Sequence, residues 1–428
     1  MAEAAGTAAA VARRRPFRRP SFALLCATMT GPLGGIRVVE IGFWVAGPAA
    51  AAIMADWGAE VIKIEPPTGD PMRGLFSTAA GIDVPINPPF ELDNRGKRSI
   101  ALNLLHDEGR AVALALLERA DVLVSNLRLS ALERAGLGFA AVHARNPRLV
   151  YCSVSGYGPS GPDRDRPAYD VGAFWARAGI AASLVPKGAD PPQQRGGMGD
   201  HTTAIAAVSA VCAALVARQR TGQGQFVSAS LLRTGVYVLG WDVNTRLRFG
   251  RVESPYDRRR IPNPLVNCYR SGDARWFWLL GLQGDRHWPD LVRALDRPEL
   301  QTDPRFADIR IRRENAEACV AVLDELFGAR PMAHWADALD RAGMWWAPVQ
   351  TVSEMIDDPQ ARACGAFVPT QVAEGTADMA ASPADFAGTP AAPPAMAPEF
   401  GQHTEEVLLE LGYDWERIAA LREMGAIA

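Results

Sequence analysis

The stretch Arg195-Gly-Gly-Met-Gly-Asp200-His-Thr-Thr203 sets a carboxylate among glycines, directly ahead of an apolar helical pattern. That pattern runs from Ala204 to Arg218, with Ile205, Val208, Val211, Cys212, Leu215 and Val216 spread almost all round the helix. An acid in this place has two uses. It can cap the helix, its oxygen accepting a hydrogen bond from a free backbone N–H. It can also be a nucleophile: glycines admit a substrate close to the chain, and the positive helix end keeps the carboxylate ionised. Spacing alone favours the cap, because Asp is common there. Thirty residues upstream, Arg166-Pro-Ala-Tyr169-Asp170 offers a second acid for a cap, with Tyr169 a half-buried aromatic whose hydroxyl reaches the rim. Two acids, a tyrosine and several glycines at successive loop-to-helix junctions fit one site better than two unrelated caps.

Cations form a second set. Arg73 lies in the Pro- and Gly-rich segment from Pro66 to Pro89, which reads as a long surface loop. Lys97 sits in Asn94-Arg-Gly-Lys97-Arg98, where three cations around one glycine either hold a phosphate or form a solvated turn. Around these residues the chain alternates. Ile36 to Ile41, Gly58 to Glu65, Ser99 to Asn103, Asp121 to Ser125 and Arg148 to Ser155 read as strands, with helical patterns between most of them. Strands apolar along most of their length imply an α/β fold with a parallel sheet covered on both faces. Ligands bind such sheets at strand-end loops, which makes Asn126-Leu-Arg128 and Gly156 to Gly161 candidate walls of one crevice. Neither GxGxxG nor GxxxxGK[ST] occurs at the first turn, which weakens a dinucleotide or P-loop reading and a ribose-binding role for Glu65.

The 428 residues carry a net charge of −3, so no global basic field points to nucleic acid. Six Cys stand far apart without a CxxC pair, which reads as reduced thiols of a cytoplasmic protein and offers no metal site. No run of about 18 uninterrupted apolar residues suggests a membrane span. Residues 1–30, Ala-rich with five Arg, read as a disordered or targeting extension. Residues 31–245 form the expected large domain and 246–345 a smaller α+β domain, opened by a basic linker at Arg258-Arg-Arg260 and a hairpin around Gly272-Asp273. Residues 346–428 return to the large domain, with 372–399 expected to be irregular.

The ordered blocks Ala46-Gly47-Pro48, Met54 to Glu65, Gly69-Asp-Pro-Met-Arg73, Asn94 to Ser99, Ser155 to Gly161, Pro167-Ala-Tyr-Asp170, Gly199-Asp200, Thr221 to Gln225 and Gly401-Gln-His-Thr404 resemble class III CoA-transferases of the CaiB/BaiF type. That family also contains alpha-methylacyl-CoA racemase. The resemblance implies a Rossmann-like large domain completed by the C-terminal segment, and two chains threaded into an interlocked homodimer. It implies that coenzyme A, carried as a thioester by an acyl-CoA donor, passes to a carboxylic acid acceptor through a covalent intermediate on Asp200, with Tyr169 and Asp170 shaping the site. It also implies CoA contacts at Lys97, Asn126, Leu127 and Arg134, with Arg73 as a phosphate partner. The family's Asn-Phe-Arg-Pro-Gly is Asn126-Leu-Arg-Leu-Ser130 here, which removes an aromatic contact. Racemases of the family have histidine where Tyr169 stands, and a phenol is a poor base at neutral pH. Racemisation or isomerisation by alpha-proton exchange is therefore the alternative reading. The glycine run of formyl-CoA transferases is absent near Arg258 to Pro262.

Overall fold

The computed structural model describes residues 31–428 apart from 83, 85, 187, 252–256 and 392. The extension expected over residues 1–30 lies outside the described residues. Six β-branched or apolar segments, β1 (Arg37–Ile41), β2 (Glu60–Glu65), β3 (Arg98–Ala101), β4 (Val122–Ser125), β5 (Val150–Ser155) and β6 (Phe226–Ser230), form one sheet in the order β3-β2-β1-β4-β5-β6. Every pairing is parallel. The register aligns Val38 with Val61 and Val122, and Val39 with Ile62 and Leu123, so alternate residues feed two cores on opposite faces.

The first core takes the helices Ala46–Asp56 and Met198–Thr221. Alanines at 49, 50, 51 and 204, 207, 214 are buried there, and such small side chains let these helices lie close to each other and to the sheet. Among the described residues Met198–Thr221 is the one helix long and apolar enough to cross a membrane, although Asp200, His201 and several hydroxyls interrupt its apolar run. Its buried residues Val208, Val211 and Leu215 face the sheet, so its apolarity serves packing. The second core is closed by the helix Asp107–Arg119 and by the chain's last two helices, Thr404–Leu411 and Trp415–Glu423, whose Val407, Leu408, Ile418 and Leu421 are buried with Ile64, Ile100 and Leu123. The N–H of Ala101 donates to Thr404 Oγ1 at 3.1 Å, which ties the C-terminal segment to the sheet's edge strand.

Residues 266–348 supply β7 (Val266–Arg270), β8 (Trp276–Leu280) and β9 (Trp346–Pro348) as an antiparallel sheet, with helices around a separate core of Tyr269, Phe277, Trp288 and Phe327. The expected hairpin is present. Trp346 packs on this core, whereas Trp345 is exposed. Arg258 is no solvated linker residue: it forks onto Asp324 at 2.7 and 2.9 Å and donates to the carbonyl of Cys268. Part of the segment expected to be irregular is ordered. β11 (Gly375–Ala380) falls inside it and pairs antiparallel with β10 (Phe367–Val372), a ladder held by backbone groups that Ala, Thr and Gly side chains do not advertise.

Candidate active site

The helix bearing Asp200 starts earlier than its apolar pattern. Its N-cap is Gly197 at φ +75°, a left-handed conformation that suits glycine, and Met198 opens the first turn. Asp200 is thus inside that turn, and its carboxylate accepts no hydrogen bond from the described residues. The cap comes from elsewhere. Asp170 accepts from the Gly199 N–H at 3.3 Å and from Gln194 Nε2 at 3.1 Å, although Asp170 itself precedes a different helical turn, Val171–Ala176. The capping reading of Asp200 therefore passes to Asp170, and the Asp200 carboxylate stays uncommitted.

Its acidity also differs from the expectation. The helix end was to keep Asp200 ionised, but burial pushes its carboxyl up to about 7, the nearby charges of Asp170 and Asp93 push the same way, and His201 opposes them. His201 is fixed by a 3.0 Å contact between its Nε2 and Asp93 Oδ1, and that bond holds its own proton affinity above the usual imidazole range. Asp93 lies in the last turn of the short helix Pro88–Asn94 and is 108 residues away in sequence. No local pattern could pair it with His201.

Opposite this helix start lies the turn after β1, at the point where the strand order reverses between β1 and β4. Asn126, just past β4, clamps that turn by accepting from the Phe43 N–H at 3.0 Å and donating to the Phe43 carbonyl at 2.6 Å. A Cβ on Gly42 would stand 2.7 Å from Asn126 Oδ1, so this close approach needs glycine. Trp44 takes φ +64°, rare for a bulky residue, and its N–H donates to Asp70 Oδ1 at 3.1 Å. Tyr169 meets the Trp44 ring edge-on, with centroids 5.9 Å apart, and is 64% exposed. Between these parts opens a cavity of about 590 Å³, lined by Trp44, Leu75, Leu92, Gly197, His201 and Met379 among others.

The remaining predicted contacts divide. Leu127 is half-buried against the second core, with its N–H on Ser125 Oγ, and Arg134 is exposed at the end of the helix Leu129–Arg134. Lys97, expected at CoA, is enclosed: its Nζ lies 2.6 Å from Glu40 Oε2, 2.6 and 2.9 Å from the carbonyls of Asp93 and Pro48, and 3.1 Å from Asn94 Oδ1. Arg73, expected at phosphate, forks onto Glu65 at 2.7 and 2.9 Å and lies over the Phe90 ring. Both cations are thus already partnered, for one reason. Strands β1 and β2 carry Glu40, Lys63 and Glu65 fully buried, and such charges require partners. Lys63 answers Glu40 and Asp70 at 2.7 and 2.9 Å; Lys97 and Arg73 supply the rest. Glu65 accordingly holds Arg73 and Ser99 Oγ, with no part free for a ribose. Among the described residues no group of three or more His, Cys, Asp or Glu side chains is placed to hold a metal ion.

The sequence profile of CoA-transferase family III matches residues 33–404. The chain is 34% identical over 390 residues to (R)-2-hydroxy-4-methylpentanoate CoA-transferase of Clostridioides difficile, covering 90% of this chain and 97% of that one. It is 31% identical to cinnamoyl-CoA:phenyllactate CoA-transferase of Clostridium sporogenes, over 92% and 97% of the two chains. The crystal structure of a CaiB/BaiF family protein from Brucella suis superposes with a TM-score of 0.78 at 29% identity, over 90% of this chain and all of that one. Six parallel strands, the glycine-bordered Asp200 and a match across most of the length agree: this chain belongs to CoA-transferase family III, the CaiB/BaiF type, and is a CoA-transferase.

Proposed function

We propose that the chain moves coenzyme A from an acyl-CoA donor to a carboxylic acid acceptor through covalent intermediates on Asp200. The observation that carries this reading is a carboxylate in a helix's first turn that accepts no hydrogen bond from the described residues, while Asp170 takes the capping duty. Ionised Asp200 attacks the thioester carbonyl, the C–S bond breaks, and CoA leaves as thiolate beside a mixed anhydride. The thiolate attacks the aspartyl carbonyl and releases the donor acid as carboxylate, leaving an aspartyl-CoA thioester. The acceptor carboxylate then opens that thioester to a second anhydride, and the returning thiolate takes the acceptor's acyl group and frees Asp200. A carboxylate serves as both nucleophile and leaving group, so one hard exchange becomes four easier ones without water. The N–H groups of Gly196 and Gly197 donate to no acceptor among the described residues, which suits them to a developing oxyanion. The crevice between the turns after β1 and β4 receives CoA, with Asn126 and Leu127 forming its wall and the exposed Arg128 and Arg134 nearest its phosphates.

The test is trapping. Wild-type protein mixed with acyl-CoA and quenched with hydroxylamine is expected to gain a hydroxamate at Asp200, seen by peptide mass spectrometry. A protein that turns over without this mark would remove the covalent route. One observation favours the alternative of alpha-proton exchange: a histidine paired with a carboxylate directly follows Asp200. Solvent deuterium at the alpha carbon of a chiral 2-methylacyl-CoA, without an acceptor acid, identifies that chemistry.

The protein also acts as a homodimer in this reading. Tyr237 and Trp241 are 86% and 87% exposed, and the helix Gly240–Phe249 buries no residue at all while presenting Leu247 and Phe249. A run of large apolar side chains in water marks an interface. Light scattering is expected to return twice the chain mass, and Trp241→Glu to weaken the dimer; a wild-type monomer at micromolar concentration would refute it.

A further inference from the structure

The cavity beside Asp200 has a makeup that CoA transfer itself does not require. Its walls include Trp44, Met72, Leu75, Pro89, Leu92 and Met379, and no Lys or Arg is among the described residues that line it. Its ionisable groups are Asp93, Asp378 and His201. Asp378 is paired with Arg362 at 3.1 Å, and Asp93 with the His201 Nε2. Gly197 and His201, four residues apart and so on one helix face, bracket Asp200 and both line the cavity. The cavity therefore opens along the first turn of the helix that carries Asp200.

Resting on the transferase reading above, we propose that this cavity takes the side chain of an apolar 2-hydroxy monocarboxylic acid, alkyl or aryl, and that the His201 imidazole hydrogen-bonds the hydroxyl. An alkyl or aryl group gains by leaving water for this lining. A second carboxylate would lose its hydration and face Asp93 and Asp378, while the one lining group able to carry positive charge, His201, is already held by Asp93, which disfavours dicarboxylic acids. Among the side chains that line the cavity, His201 offers the hydroxyl a partner. His201 Nδ1 bonds no described residue, and a Cβ on Gly197 would stand only 3.3 Å from it, so the glycine leaves that edge of the ring uncovered. A hydroxyl can donate to this nitrogen or accept from it, so the contact survives a change in the ring's protonation. His201 is thus a specificity-determining residue, while Asp200 carries the covalent steps.

Isotope exchange tests this without choosing a separate donor: each acid's CoA thioester is mixed with the same acid in labelled free form. The expected order of kcat/KM is 2-hydroxy-4-methylpentanoate above 4-methylpentanoate by roughly tenfold, and above glutarate by roughly a hundredfold or more. His201→Ala is expected to erase the hydroxyl preference and keep the bias against glutarate, whereas Leu92→Lys is expected to raise glutarate exchange. Glutarate exchanging as fast as the hydroxy acid, or His201→Ala retaining the full hydroxyl preference, would overturn the proposal while leaving the transferase reading intact. Should no acid exchange, saturation-transfer NMR of the same three free acids on the wild-type protein decides: the same ranking upholds the cavity's preference and rejects the transferase reading, and equal binding rejects both.

Discussion

Asp200→Asn is expected to lower kcat for CoA transfer by about four orders of magnitude or more, because every step passes through a bond to that oxygen and an amide is a poor substitute nucleophile. The same change is expected to make the fold more stable. Burial raises the Asp200 carboxyl to about 7 from an ordinary value of 3.8. A carboxyl that binds its proton more tightly when folded contributes its full share only below the unfolded value, and that share is lost as pH rises through the folded one. The variant should therefore match wild type in melting temperature near pH 4, gain steadily up to about pH 7, and hold a constant lead above it. In free wild-type enzyme the acylation rate should rise across the same interval, since only the ionised carboxylate attacks. A variant that keeps a tenth of the activity would exclude Asp200 as nucleophile, and a melting difference independent of pH would exclude its raised proton affinity.

Lys97→Met has the second large effect, on stability. It leaves fully buried Glu40 facing Lys63 alone, and removes the donor shared by the carbonyls of Pro48 and Asp93 and by Asn94 Oδ1. Removing one member of a buried ion pair costs about 3–5 kcal/mol. Urea titration is expected to show that loss as a lower midpoint with an unchanged slope, while CoA binding to the remaining folded protein changes little. A normal midpoint with strongly weakened CoA binding would instead restore Lys97 to the ligand.

The two cases show what local sequence carries. The parallel sheet was legible because β1, β2, β4 and β5 are β-branched runs between helical patterns, and parallel strands are buried on both faces. Asp200 was legible as a candidate because glycines border it. The engagement of Lys97 and Arg73 by buried carboxylates was not read from the sequence, because both were assigned to CoA by resemblance. A signal did exist: Glu40, Lys63 and Glu65 interrupt otherwise apolar strands, and a charge inside such a strand demands a counter-charge. His201 with Asp93 and the left-handed Trp44 were not legible, because one joins residues 108 apart and the other is a backbone state fixed by Asp70 and Asn126 from outside the turn.

The cap on the nucleophile's helix comes from the segment that also carries Tyr169, on a separate part of the chain. Cap and rim therefore sit on one piece of chain, which brings both a hydrogen-bond acceptor for Gly199 and a negative charge that makes Asp200 a weaker acid. A substitution that displaced this segment would take the acceptor from the helix end and the repelling neighbour from Asp200 together, so a change made at the substrate's doorway would be registered as a stronger acid at the nucleophile.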